Sequence, residues 1–250
     1  MTTLVDALKK PICWFSLLLT LSLFSEVQAQ AEWPQWGGPG RNFVSNSTGL
    51  AASWPQSGPK QLWSRALGEG HSAIVVDGNT LYTMYSKGEQ EYVVALAAAT
   101  GKTIWEVKYD APTAGIDYEY GFGPHSTPLL VGDLLYTVGS VGKLQALDKK
   151  TGKVVWSLDL YKDLGGRKMG RGYSCSPLAY KNTIILTLGG PGQTVVAFDQ
   201  KDGKVVWKSQ TLDLSPASPI VINVDGQDQL VAFLGKEVAG IDPNNGALLW

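Results

Sequence analysis

Residues Ala146–Trp156 read ALDKKTGKVVW. The same register returns as ALAAATGKTIW at Ala95–Trp105, AFDQKDGKVVW at Ala197–Trp207 and GIDPNNGALLW at Gly240–Trp250, and a shorter copy, GPKQLW, ends at Trp63. The tryptophans at 63, 105, 156, 207 and 250 are separated by 42, 51, 51 and 43 residues. A recurrence of this length marks a repeat architecture, in which each unit buries a face against the next.

Ser126–Trp156 and the residues just beyond it serve as a sample repeat. STPLLVG, DLLYTVGS, GKLQALD and KVVWSLDLY follow one another with turn residues between them. Short runs rich in Val, Leu, Tyr and Trp bounded by Gly and Asp read as strands, so each repeat is expected to be one four-stranded antiparallel sheet. The turn before the last strand lies inside the motif. Asp148, Asp199 and Asp242 are placed to accept backbone N–H bonds there, and Gly101, Gly152, Gly203 and Gly246 to take the positive φ that closes it. Ala97 replaces the aspartate in the first repeat, which is expected to weaken that turn; Asp202 and Asn245 replace Thr151 and keep a side-chain acceptor. Trp63, Trp105, Trp156, Trp207 and Trp250 each present a large ring whose burial requires a neighbouring sheet. Pro128, Pro177 and Pro219 open the first strand of their repeats, with Ile74 in the first one, a position where proline is tolerated. Sheets repeated with such a clamp read as propeller blades, since radial stacking covers both faces.

The pattern Ala-x-Asp-x-x-Thr-Gly-x-x-x-Trp resembles the tryptophan-docking motif of PQQ-like β-propellers, and WPQWGGPGRN at Trp33–Asn42 is similar to the opening of secreted members. That family includes quinoprotein alcohol dehydrogenases and the outer-membrane assembly factor BamB. The resemblance implies an all-β propeller of seven or eight blades. Four are readable here and the last strand stops at Trp250, so a longer protein is expected, with 63–250 an incomplete propeller whose isolated form aggregates or has low stability. It also implies two functions. One is a non-catalytic scaffold that binds a protein or cell-envelope component through loops on one face. The alternative is a PQQ-dependent dehydrogenase, in which adjacent cysteines, an aromatic floor and a carboxylate-rich calcium site hold the quinone; no adjacent cysteine pair and no Cys-x-x-Cys-His motif occur in this sequence. PQQ and calcium are therefore expected only under this alternative, and no metal site is read from spacing.

Composition and the N-terminus bound the setting. With 21 Lys+Arg against 22 Asp+Glu and a net charge of −1, the chain lacks the basic footprint of a nucleic-acid binder. Lys9-Lys10, the apolar run Ile12–Phe24 and Val27–Ala31 form a secretory signal over 1–31, with cleavage readable after Ala29 or Ala31. A periplasmic or extracellular protein is expected, touching membrane only through this segment if it stays uncleaved. Residues 32–62 form an extended lead-in. Outside the signal, Cys175 is the one cysteine, which precludes an internal disulfide and suits a small buried apolar side chain.

Candidate binding residues lie in loops. From Trp105 to Pro128 there are 23 residues, from Trp156 to Pro177 there are 21, and from Trp207 to Pro219 only 12. Two neighbouring blades thus carry long connections, and long loops on a rigid scaffold are where binding concentrates. One is acidic and aromatic, with Asp117, Tyr118, Glu119 and Tyr120; the other is basic, with Arg167, Lys168, Arg171 and Tyr173. They either offer a binding face or pair with each other. His71 and His125, the chain's two histidines, fall at equivalent positions before the first strand of successive blades, with Ser174 and Pro216 in the next two. There they are candidates for a metal, which would need further ligands from elsewhere, or for an anionic ligand, or else for bonds to backbone at the channel mouth.

Overall fold

The computed structural model describes residues 32–117, 119 and 121–250; the signal-type segment 1–31 and the loop residues Tyr118 and Tyr120 lie outside them. Regular structure is strand, in four antiparallel sheets. The first holds β1 (Glu32–Trp33), β2 (Val75–Asp77), β3 (Thr80–Lys87), β4 (Gln90–Ala97) and β5 (Thr103–Asp110). The second holds β6 (Leu129–Val131), β7 (Leu134–Val138), β8 (Lys143–Asp148) and β9 (Val154–Asp159), and the third β10 (Leu178–Tyr180), β11 (Thr183–Thr187), β12 (Val195–Asp199) and β13 (Val205–Ser209). β14 (Ile220–Val224), β15 (Gln227–Phe233) and β16 (Val238–Ile241) form the fourth, where Leu248 bridges Ile241 as the start of an outer strand. Within each sheet the order follows the chain. These are the expected blades, and the fold is an all-β propeller.

The motif builds the same hairpin in every blade. Gly101, Gly152, Gly203 and Gly246 donate their backbone N–H to the carbonyls of Ala97 (2.8 Å), Asp148 (2.8 Å), Asp199 (3.0 Å) and Asp242 (2.8 Å). Asp148 Oδ1 also accepts from the N–H groups of Lys150 and Thr151 and from the Thr151 hydroxyl, the last at 2.7 Å. The Ala97 turn keeps both backbone bonds, so the substitution removes only the carboxylate's share. Opposite each tryptophan is a small residue: Ala95 pairs with Trp105, Ala146 with Trp156 and Ala197 with Trp207, each beside a bulge.

Each ring then reaches the following blade. A Cβ on Gly152 would lie 2.5 Å from Trp105, and one on Gly203 2.7 Å from Trp156. The indole N–H groups of Trp63, Trp105, Trp156 and Trp207 donate to the carbonyls of Ala98 (2.8 Å), Lys149 (2.9 Å), Gln200 (2.9 Å) and Pro243 (3.2 Å). Trp63 docks in this way although Gln61–Trp63 forms no strand. Trp250 departs from the expected docking role. Its ring lies over Gly240 of its own sheet, its N–H donates to Gln229 Oε1 at 2.7 Å, and it is 53 % exposed.

The core sits between sheets. Val75, Tyr82, Val93 and Trp105 pack on Leu130 and Leu135 of the second blade, and Leu144, Leu160 and Tyr173 pack with Cys175, Leu186 and Phe198 between the second and third. Cys175 is buried as expected. The lead-in crosses the inner edges of three blades. β1 pairs with β2, the Pro34 carbonyl accepts from Leu130 N–H at 2.8 Å, and Arg41 Nη1 donates to the Pro177 carbonyl at 3.1 Å.

Candidate functional site

The long connections after β5 and β9 meet above the first, second and third blades. Asp117 N–H donates to the Gly170 carbonyl at 2.7 Å, and Arg171 bonds Glu119 at 3.0 Å with Asp117 at 3.9 Å. The second loop is fixed at its root by Asp159, whose Oδ1 accepts from the N–H groups of Tyr161 (3.0 Å) and Lys162 (2.9 Å). Tyr173 N–H closes the far end on the Ser140 carbonyl at 2.7 Å. The acidic and basic loops therefore pair with each other, forming a braced face.

The candidates separate on this face. His71 and His125 come together as a stack, with ring centroids 4.8 Å apart and planes at 16°. His71 N–H donates to the Pro124 carbonyl at 2.9 Å. Gly121 comes so close to His71 Nε2 that a Cβ there would be 2.8 Å away. Partial burial, then the neighbouring His71, holds the His125 imidazole below its ordinary pKa. Beside the stack opens a cavity of about 630 Å³ lined by Asp117, His125, Arg171, Ser174 and Pro216, so the equivalent positions of the second, third and fourth blades do converge. Lys168 lies in an adjacent cleft with its ammonium 5.8 Å from the Tyr161 ring. Arg167 turns away towards Asp213, at 3.9 Å. Tyr173 is not displayed. It is 1 % exposed and its hydroxyl donates to the Thr187 carbonyl at 2.8 Å, because the backbone bond to Ser140 drives the ring into the core.

Two buried arrangements escaped sequence reasoning. The first is a belt of hydroxyls around the inner strands. Ala73 N–H donates to Thr127 Oγ1 (3.2 Å), Thr127 N–H to Ser176 Oγ (3.0 Å) and Ser176 N–H to Ser218 Oγ (2.9 Å), each crossing to the next blade. Its signal was a Ser or Thr directly before Pro128, Pro177 and Pro219. The second is Glu91, 1 % exposed, which accepts from the Ser140 N–H (3.0 Å) and hydroxyl (2.5 Å) and from the Tyr109 hydroxyl (2.7 Å). Burial and this carboxylate push the Tyr109 hydroxyl well above its usual pKa. No local pattern marked Glu91, because its partners come from β5 and from the neighbouring blade.

Among the described residues no three His, Cys, Asp or Glu side chains are grouped to hold a metal ion, and the one described cysteine, Cys175, is buried in the core.

Known proteins bear on this geometry. The family described as outer membrane protein assembly factor BamB matches residues 89–250. The chain is 26 % identical over 235 residues to the outer membrane protein assembly factor BamB of Yersinia pestis, covering 87 % of this chain and 55 % of that protein. It is 30 % identical over 176 residues to the quinoprotein alcohol dehydrogenase PedH of Pseudomonas putida, covering 68 % of this chain and 27 % of PedH. In fold it is similar to the quinohemoprotein alcohol dehydrogenase of Comamonas testosteroni, with a TM-score of 0.52 at 18 % identity over 73 % of this chain and 36 % of that one. The chain thus spans about half the length of the BamB relative, and less of the dehydrogenases.

Proposed function

This chain belongs to the PQQ-like propeller family described as outer membrane protein assembly factor BamB, and from that membership we propose that it is an exported, non-catalytic binding scaffold that engages a protein of the cell envelope through its long-loop face. The observation that carries the reading is the bracing of two extended loops from adjacent blades by the Asp117–Gly170 and Arg171–Glu119 bonds. A loop pair held in one conformation loses little freedom on binding, which favours recognition. The faces differ in kind, since the opposite ends of the strands carry short turns shaped by the tryptophan motif. Export rests on the segment 1–31, with its lysines, apolar run and small-residue cleavage pattern.

The quinoprotein reading draws on the likeness to PedH. A titration separates the two: the scaffold reading expects no saturable PQQ binding and no dye reduction in the presence of calcium and alcohols. Partner contact is tested with a photo-reactive amino acid placed at Met169 on the loop face or at Lys201 in a docking turn, in cells expressing the full gene product. Cross-links to an envelope protein from 169 and none from 201 are expected. The reverse pattern would remove the loop-face assignment.

A further inference from the structure

Between the first and second blades, on the same face, lies a cleft of about 830 Å³. Its walls are the end of β5, the turn from Ser140 to Lys143 and the end of β9, and Ile116 and Met169 of the long loops overhang it. Three lysines line it: Lys143, Lys162 and Lys168. Among the described residues none of the three is in an ion pair, whereas Lys149 pairs with Asp77 at 2.5 Å, Lys236 with Asp213 at 2.8 Å and Arg171 with Glu119 at 3.0 Å. The two aspartates in the walls are already served by other donors. Asp159 Oδ1 accepts two backbone N–H groups, and Asp110 Oδ1 accepts from Gln90 Nε2 at 3.3 Å. Bonds from neutral donors leave both aspartates ionised, so the three lysines exceed them by one and the lining carries a net positive charge, on a chain whose net charge is −1.

We infer that this cleft docks an acidic peptide segment of the partner, its carboxylates meeting Lys143, Lys162 and Lys168 and its apolar side chains resting on Ile116, Val141 and Met169. The inference rests on the scaffold reading and names the chemistry of its ligand. A net positive lining raises the local potential and steers an anionic partner to the site. A glycan is disfavoured because neither tyrosine offers a free ring as a platform. The Tyr109 ring packs against the core between the first and second blades, and its hydroxyl is tied to buried Glu91. Tyr161 lies so close over Gly142 that a Cβ there would be 2.7 Å from the ring, and Lys168 sits over it as well. A phosphate group could use the ammonium groups equally well, but it would leave the apolar side chains of Ile116, Val141 and Met169 in the lining without a partner.

Panning a random 12-residue peptide display library against the full chain tests this, in parallel with the variant K143E/K162E/K168E and a control, K153E/K201E, reversed at the docking turns. Circular dichroism melts verify that all three are folded. Selected peptides are expected to be enriched in Asp and Glu. A fluorescein-labelled copy of the best of them should bind the triple variant at least about tenfold more weakly, bind the control unchanged, and weaken as salt rises from about 50 to 500 mM, as exposed charge contacts do. Selection without acidic enrichment, or equal affinity for the triple variant, would overturn the inference. So would lysine-dependent binding of inorganic polyphosphate or of phosphatidylglycerol vesicles in place of peptide. Cross-links from position 169 that persist in the triple variant would overturn the acidic-peptide chemistry and leave the loop face as a binding surface, whereas their absence from the unaltered protein would remove that surface itself.

Discussion

Gly152 has two reasons to be glycine. Its φ is +72°, and the Trp105 ring passes 2.5 Å from where a Cβ would sit. Gly152→Ala is therefore expected to destabilise by about 2–3 kcal/mol, from backbone strain and overpacking together, measured as a lower urea midpoint with a red-shifted tryptophan emission. His125 gives a pH dependence of known sign. Its folded pKa lies below its unfolded value, so its contribution to stability is complete above about pH 6.5 and is lost as pH falls through the folded pKa. Urea midpoints should drop between pH 7.5 and 5.0, and His125→Phe, which keeps a ring in the stack without a titrating group, should flatten part of that slope. An unchanged slope in His125→Phe would show that the stack does not carry it.

At the scale of the element, tryptophans of one motif have unequal worth. Trp105 is buried against the second blade and bonds Lys149, while Trp250 lies half-open on its own strand. Trp105→Ala is expected to cost about 3–5 kcal/mol, in the range for a large buried ring, and Trp250→Ala less than about 1 kcal/mol, from denaturation curves of the two variants. The hydroxyl belt predicts a sharper signature. Ser176→Ala strands the Thr127 N–H in a buried site, at a cost of about 1–3 kcal/mol. Hydrogen exchange at the Thr127 amide should accelerate, with the amides of β13 little affected. The turn motif was legible because the aspartate, glycine and tryptophan act within one hairpin, and their spacing shows in the chain. The belt was not, since each hydroxyl serves an amide more than 40 residues away.

Among the described residues, sheet faces pack on one another between successive blades, and several apolar side chains of the fourth sheet are open. Ile222, Val224, Phe233, Val238 and Trp250 are exposed there, and uncovered apolar sheet faces drive association. Purified 32–250 is expected to self-associate in sedimentation velocity, less so with Phe233→Gln and Val238→Thr; a monodisperse species with one sharp melt would contradict this. The four blades of this chain, the long loops and the equivalent positions of the two histidines were readable, because repeat symmetry carries a position from one blade to the next. Symmetry could not say that Tyr173 turns inward, which depends on the Ser140 carbonyl catching its N–H. Nor could it place the Trp33–Asn42 stretch across three inner strands, since that stretch has no counterpart in the repeat.

The indole bonds of Trp105, Trp156 and Trp207 and the belt bonds share a direction: in each pair, the donor belongs to the earlier blade and the acceptor to the later one. A blade emerging first during synthesis must wait for its successor before its own tryptophan and inner amide are satisfied. Maturation therefore trails elongation by one unit, and damage to a turn is felt upstream, in residues already made.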